Sequence, residues 1–515
     1  MRLPALAKHL PALLICALFV TSGLRGIDFG YHWDEGGWQV LPVKQMVSSG
    51  VLVPRSFIYP SFSLWVVLLP ALDTGVRAGL SGRSAREVQR AMVSEFDRPE
   101  YLLEVRTLFL LISALAIVWI YLAVLVIGGK WWEATIACAA LGLTWEYAYH
   151  SRWVATDCLL TQFSALTLLS LALFHRTKKP AWLYTAAVAA GLGTGTKYPG
   201  VVLLATVLIA GALALPFRRV LPQLFRAATL GAIAFAAYLV TTPGTLISPF
   251  NFYGQLRGIH EYYAAGHHGY TVAAGFPHLR LALEYFLFDF FSPYRWVAIG
   301  GFVAVVAGAV LRVRDDKKLG AVLISFPLLF LTFFCWTYGV FIVRNFLLIT
   351  PFLAVLASRG ICELYSRLPA PRYRRVFAGL LALVAVVHGA WLWSAGESVR
   401  DVDPAAQANE AVTWVAAHPG TRFRVSDKVR ALAQLQGVAL PANASAGADA
   451  QAVVFFARSE GPPPTEWTVN DPWLTEEVFG PREVNFNWYS NWEGHDRVVV
   501  MTIDKARAAG VTLAN

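Results

Sequence analysis

The run from Ser61 to Leu72, SFSLWVVLLPAL, decides how this chain is threaded. It is bounded by Pro60 and Asp73, and its twelve residues make a helix of about 18 Å, whereas a bilayer core of about 30 Å needs roughly 20 residues. If the run crosses a membrane, every later loop changes side. Lys and Arg concentrate in the short cytoplasmic loops of membrane proteins, so those loops arbitrate. With the run not crossing, Lys130 and the basic loops Arg176–Lys179, Arg218–Arg226, Arg312–Lys318 and Arg359–Arg375 all lie inside. With it crossing, all of them face outward and only the mixed-charge stretch Arg77–Glu104 moves in. The run is therefore read as a juxtamembrane or re-entrant segment.

The rest of the chain fits a lipid environment. Of its 515 residues, 56% are hydrophobic and 15% charged, where a soluble protein has roughly 45–50% and about 25%. With a mean hydropathy of +0.51, this excludes a disordered, collagen-like or purely soluble chain. About eleven spans are expected, near Pro11–Leu24, Tyr101–Ile127, Trp131–Tyr149, Asp157–Phe174, Leu183–Thr196, Val201–Leu215, Ala227–Leu246, Trp296–Leu311, Leu319–Trp336, Phe341–Ala357 and Phe377–Trp393. Arg2 and Lys8 before the first of them give it the look of a signal peptide, and cleaved or not it leaves the loop after Leu24 outside. The reading gives a membrane all-α bundle over residues 1–394, with large outer loops at 26–100 and 248–295. Residues 395–515 are polar and carry strand-like runs at Ala452–Phe456 and Arg497–Met501 and a helix-like stretch at Ala405–Ala417. They are expected to form a small extracytoplasmic α/β domain. The net charge of +10 follows from the basic cytoplasmic loops, and nucleic acid is not an expected partner. The five cysteines lie in or beside apolar runs without metal-ligand spacing and read as small apolar fillers.

Ionisable residues at a membrane edge are costly and call for a reason. The first outer loop opens with His32-Trp33-Asp34-Glu35-Gly36-Gly37, an adjacent pair of carboxylates among aromatics and glycines. A carboxylate so placed is suited to general-base work. Alone, such a dipeptide is usually a solvated loop, but the threading brings more charge to the same face. Arg152 and Asp157 stand directly before a span in SRWVATD, Lys197 lies in the GLGTGTKYPG link between two spans, and Arg344-Asn345 opens another span. Each has a plain alternative, as a snorkelling cation, an interface anchor or a helix cap. Together they place two carboxylate sites and three cations on one surface, a set suited to a lipid phosphate carrying a polar group.

In this order, HWDEGGW, IYPSFSLWV, SRWVATD, GLGTGTKYPG and RNFLLITPFLAVLASRG, the chain resembles the GT-C fold glycosyltransferases over roughly Leu10 to Gly360. The branch it is most similar to comprises the polyprenyl-phosphate-sugar-dependent enzymes, such as the protein O-mannosyltransferases and the lipid A aminoarabinose transferase. The resemblance implies a GT-C-like bundle, a polyprenyl-phosphate-linked sugar donor, an extracytoplasmic acceptor of undefined kind and inverting transfer. It implies Asp34 as base, with Glu35 and Asp157 as further catalytic residues. The donor phosphate would be held by Lys197 and Arg344, and Asp157 would orient the site or help hold a divalent ion such as Mg or Mn. Relatives often carry Lys-Pro-Pro where this chain has Ile58-Tyr59-Pro60-Ser61, so Arg55 joins the phosphate candidates. His32, Tyr59, Arg152, Tyr198, His267 and His268 complete the expected substrate-binding set. The competing reading is a polytopic transporter or lipid-linked-sugar flippase, which would favour mid-membrane charges and two related halves. No internal repeat is evident. In the tail, Asp471-Pro472-Trp473 and Asn487-Trp488-Tyr489 cluster aromatics with amides, as a sugar-stacking surface or a small core would.

Overall fold

A computed structural model of the chain describes residues 5–29, 33–51, 53–216, 220–266, 271–398, 404–435, 437–445, 450–456, 477–479 and 498–508. Among these, eight helices are long and apolar enough to cross a bilayer, as expected of a multi-pass membrane protein. Seven of the eight occupy expected spans: Tyr101–Val126, Thr156–Thr177, Val220–Thr241, Arg295–Asp315, Lys317–Thr337, Val343–Arg367 and the helix beginning at Pro371. The other four expected spans are shorter helices. Leu10–Leu24 and Pro180–Thr194 have 15 residues each, Tyr198–Leu213 follows Lys197, and Trp131–Gly142 is separated from Trp145–His150 by a break at Leu143-Thr144.

Contacts between helix ends fix the threading. At one end His9 meets the Tyr121 hydroxyl, Arg176 donates to the Val126 carbonyl at 3.3 Å, His175 pairs with Asp316 at 2.8 Å and Arg312 with Glu133 at 2.8 Å. The other end, the site face, gathers the start of Thr156–Thr177 and the ends of Pro180–Thr194 and Val220–Thr241.

The eighth apolar helix contains the run that decides the threading. It is longer than its apolar core implied, passing Pro70 and Asp73 to cover Phe62–Leu80, 19 residues. The Phe62 amide donates to the Gly195 carbonyl at 2.9 Å and the Trp65 indole to the Thr241 carbonyl at 2.7 Å, both at the site face. The Tyr101 hydroxyl, at the start of the next long helix, donates to the Val67 carbonyl. The segment thus begins and ends at the site face. The only helix on the return is Ala85–Glu95, 11 residues or about 16 Å, which is too short to cross. That helix is set by a capping box in which the Ser84 side chain accepts from the Glu87 amide and Glu87 reaches back to the Ser84 amide. The segment makes no net crossing.

Elsewhere the bundle depends on close backbone approach. Gly308 and Gly360 face each other across Arg295–Asp315 and Thr350–Arg367. A Cβ at Gly308 would lie 1.8 Å from the Leu356 carbonyl oxygen, and one at Gly360 2.1 Å from that of Ala304. Small residues here let two helices pack at backbone distance, as membrane helices commonly do.

The chain divides into two compact units, Met1–Ile27 with His32–Trp393, and Asp28–Tyr31 with Ser394–Asn515. In the second, β1 (Phe423–Val425), β2 (Ala444–Ser445), β3 (Ala452–Phe456), β4 (Glu477–Phe479) and β5 (Val498–Thr502) form a sheet in the order β2-β1-β3-β5-β4. The β1 pairings are parallel and the β5 pairings antiparallel. Side chains alternate across a strand. Val454 and Phe456 pack with Val412, Val415 and Val429 from helices Pro404–Ala416 and Asp427–Leu435, while Val453 and Phe455 pack with Met501 and Ala506 on the other face. The aromatic and amide clusters at Asp471–Trp473 and Asn487–Tyr489 lie outside the described residues.

Candidate functional site

The site lies where the loop after Leu10–Leu24 meets the ends of three spans. Asp34 belongs to a short helical turn, Trp33–Glu35, that widens into a π-helical turn over Gly36–Val40 before the regular helix Leu41–Ser48. Such widened turns recur at functional sites. Asp157 stands in the first turn of Thr156–Thr177, Lys197 in the link after Pro180–Thr194, and Arg344 with Asn345 in the 3-10 segment Val343–Ile349.

Their side chains form one buried chain of charge. Arg344 Nη2 lies 2.9 Å from Asp34 Oδ2, and its Nε lies 3.9 Å from Asp157 Oδ2. Lys197 Nζ donates to Asp157 Oδ1 and to Asn345 Oδ1, each at 2.7 Å. All four charged residues are 3–7% exposed. The guanidinium of Arg344 also lies over the Trp153 ring, 5.2 Å from its centroid. Two carboxylates and two cations balance. Burial pulls the Lys197 ammonium below its ordinary range, with Asp157 acting against that pull. Tyr59 and Tyr263 lie within electrostatic reach of Asp34, Asp157 and Arg344; burial first, and in both cases the Asp34 charge as well, keep their hydroxyls protonated.

Glu35, expected to work beside Asp34, is placed differently. It is fully buried and accepts from Arg106 Nε at 2.9 Å, from Arg106 Nη2 at 2.5 Å and from the Val154 amide at 2.9 Å. Arg106 also donates to the Ile27 carbonyl at 2.8 Å. The pair ties the chain leaving Leu10–Leu24 to the loop before Asp157, so Glu35 fixes Asp34 in place and has no open face for substrate. Arg152 is likewise buried. Its Nη2 donates to the Ser22 carbonyl at 2.8 Å near the end of Leu10–Leu24, and its guanidinium lies over Trp145. There it offsets the negative end of a helix. Tyr198 donates to the Phe57 carbonyl at 2.7 Å and so holds the Arg55–Tyr59 segment, in which the Arg55 side chain is exposed. His32, His267 and His268 lie outside the described residues.

Sequence reasoning did not single out Arg106. Arg106 had a signal, being a lone guanidinium inside an apolar run, where a charge needs a partner. Tyr263 lies in the aromatic-rich stretch His260-Glu261-Tyr262-Tyr263, and only the lie of the Pro249–Ala265 helix brings it within reach of Asp34.

The helical membrane bundle with a long first loop, and the carboxylate-cation site where that loop meets the spans, go with a GT-C-like fold, the fold shared with the apo ArnT structure. Residues 100–242, less than half of the chain, match the family model of the dolichyl-phosphate-mannose-protein mannosyltransferases. No curated protein sequence matches the chain. Among solved structures, ArnT from Cupriavidus metallidurans in the apo state is 14% identical, with 96% of this chain and 97% of that one covered and a TM-score of 0.50. The same protein bound to undecaprenyl phosphate is 14% identical at the same coverages, with a TM-score of 0.47. The Archaeoglobus fulgidus oligosaccharyltransferase in the apo form is 14% identical, with 88% of this chain and 70% of that one covered and a TM-score of 0.46.

Proposed function

We propose that the protein transfers a sugar from a polyprenyl-phosphate donor to an extracytoplasmic acceptor by a single inverting displacement. The observation that supports this most is the placement of Arg344 between Asp34 and Asp157, with Lys197 on the far side of Asp157. The site face is assigned to the outside because the basic loops gather at the other end of the bundle, where Lys and Arg of cytoplasmic loops belong.

In this reading Lys197 and Arg344 hold the donor phosphate, and Asp157 and Asn345 position both cations. Asp34 accepts the proton of the acceptor hydroxyl or amine. The acceptor's lone pair forms the new bond to the anomeric carbon as the bond from that carbon to the phosphate oxygen breaks. The electron pair leaves with the polyprenyl phosphate, whose growing charge the two cations stabilise. The protonated Tyr59 and Tyr263 supply hydroxyl donors beside the base, and Arg55 and the histidines of the second outer loop are carried as further substrate contacts.

A divalent ion fits these residues poorly. Among the described residues no three His, Cys, Asp or Glu side chains converge, and Asp34 and Asp157 are each already paired with a cation that an ion would have to displace. No step is assigned to a metal. The test is transfer by the purified protein from a polyprenyl-phosphate sugar. Asp34→Asn should abolish it while leaving insertion unchanged, and full activity in that variant would overturn the assignment of the base.

A further inference from the structure

At the face opposite the site, the ends of five helices enclose a pocket of about 280 Å³, lined by Phe174, His175, Lys178, Tyr184, Arg226 and Lys318 among others. On Thr156–Thr177 and its cap the lining positions are Leu171, Phe174, His175 and Lys178, a spacing that makes one continuous stripe. From Lys178 down to Leu171 the stripe descends about 10 Å. Its upper rim is cationic and its lower wall is apolar.

The charges at this face differ in how they are partnered. Away from the pocket Arg312 is paired with Glu133, Arg359 with Asp315 and Arg367 with Glu363. Among the described residues Lys178, Arg226 and Lys318 have no acidic partner. Arg226 donates only to the Gly211 carbonyl, at 3.1 Å. Asp316, at the start of the same helix as Lys318, is taken up by His175 and by the amides of Lys318 and Leu319. Lys178 has a second peculiarity: among the described residues it is the one non-glycine residue with positive φ, at 57°, in the cap position where glycine is usual. A lysine is thus carried at the rim in a conformation that favours a residue without a side chain.

We propose that this pocket binds an anionic phospholipid, with its phosphate among Lys178, Arg226 and Lys318 and its acyl chains against Phe174 and the wall below. Three unpaired cations at headgroup level above an apolar cleft complement a charged headgroup on a hydrocarbon tail, and basic pockets between membrane helices take such lipids. A soluble anion would leave the apolar wall unused.

The test uses the full-length protein, mixed with phosphatidylglycerol or phosphatidylcholine and read by native mass spectrometry for retained lipid. Phosphatidylglycerol should be retained in clear preference. Each basic residue beside an anionic lipid strengthens binding about five-fold, so Lys178→Gly with Arg226→Gln should weaken retention roughly 25-fold. Lys178→Gly suits the left-handed cap, so an unchanged melting temperature separates loss of lipid from loss of fold. Arg367→Gln, which removes a paired cation from the same face, should change nothing. Equal retention of the two lipids, an unchanged preference in the double variant, or displacement of the lipid by millimolar inorganic phosphate would overturn the proposal.

Discussion

Asp34 and Glu35 are adjacent in sequence, yet the structure assigns them opposite consequences when neutralised. Glu35→Gln removes the charge from a fully buried group that accepts two hydrogen bonds from Arg106 and one from the Val154 amide. Breaking a buried ion pair by removing one partner costs about 3–5 kcal/mol, because the other charge stays behind uncompensated. In a large protein each kcal/mol moves the melting temperature by roughly 2 °C or less, so a fall of several degrees is expected. Asp34→Asn should shift it far less, since Arg344 keeps Asp157 at 3.9 Å as a second partner. Scanning fluorimetry of the purified variants reads the first quantity, and transfer from a polyprenyl-phosphate sugar reads the second. Glu35→Gln should retain activity in proportion to its folded fraction. Replacing both partners, as in Glu35→Met with Arg106→Met, should recover much of the lost stability, as replacing buried pairs by apolar residues often does. A Glu35→Gln protein that melts like the wild type but is as inactive as Asp34→Asn would refute the reasoning and return Glu35 to the chemistry.

Three further outcomes are expected from the same geometry. Lys197→Ala should lower kcat/KM for the donor by about 10²–10³, the size of effect seen when one donor to a developing anion is lost, with the acceptor KM unchanged; steady-state kinetics with each substrate varied in turn checks this. A cysteine at Ser81 should label with an impermeant thiol reagent from outside intact cells, and protection would show that Phe62–Leu80 crosses after all. Asp289, in the link between Phe276–Phe288 and Arg295–Asp315, has its carboxyl pushed up to about 6 by burial, against the opposing charge of Arg295. A raised folded-state value means that the protonated form is the better tolerated one, so this group's contribution to stability is fully present below about pH 4 and is lost as pH rises through about 6. Asp289→Asn should therefore raise the melting temperature above pH 7 and leave it unchanged near pH 4.

Much of this architecture could be read in the sequence, for a simple reason. Apolar length and the distribution of Lys and Arg are properties of the chain itself, so the eleven segments and the alternation of their ends emerge without coordinates. The convergence of Asp34, Asp157, Lys197 and Arg344 was legible only as a shared face, since parity says which end a residue occupies and nothing about its neighbours there. The division of labour between Asp34 and Glu35 was not legible at all. Successive side chains of a helical turn point about 100° apart, and which one meets Arg106 is decided by the packing of the first loop against Tyr101–Val126. The partner of Arg152 was hidden for a related reason. A guanidinium at a membrane edge suggests phosphate, and only the position of the Ser22 carbonyl shows that a helix end has taken it. The length of Phe62–Leu80 escaped because Asp73 read as a stop, although the helix passes it.

The shortness of the helices around Lys197 bears on how the membrane itself must adapt. Pro180–Thr194 has 15 residues and rises about 22 Å from the basic turn at Lys178-Lys179, and Tyr198–Leu213 returns by a path of similar length. A hydrocarbon layer of about 30 Å is thicker than either. Lys197 is therefore recessed by several ångströms below the level that its lipid neighbours would otherwise set. Bilayers meet a short hydrophobic surface by thinning beside it, at a modest cost per ångström. The depression this creates lies beside the hairpin that carries Lys197, so the depth of the surrounding lipid becomes part of the proposed binding site.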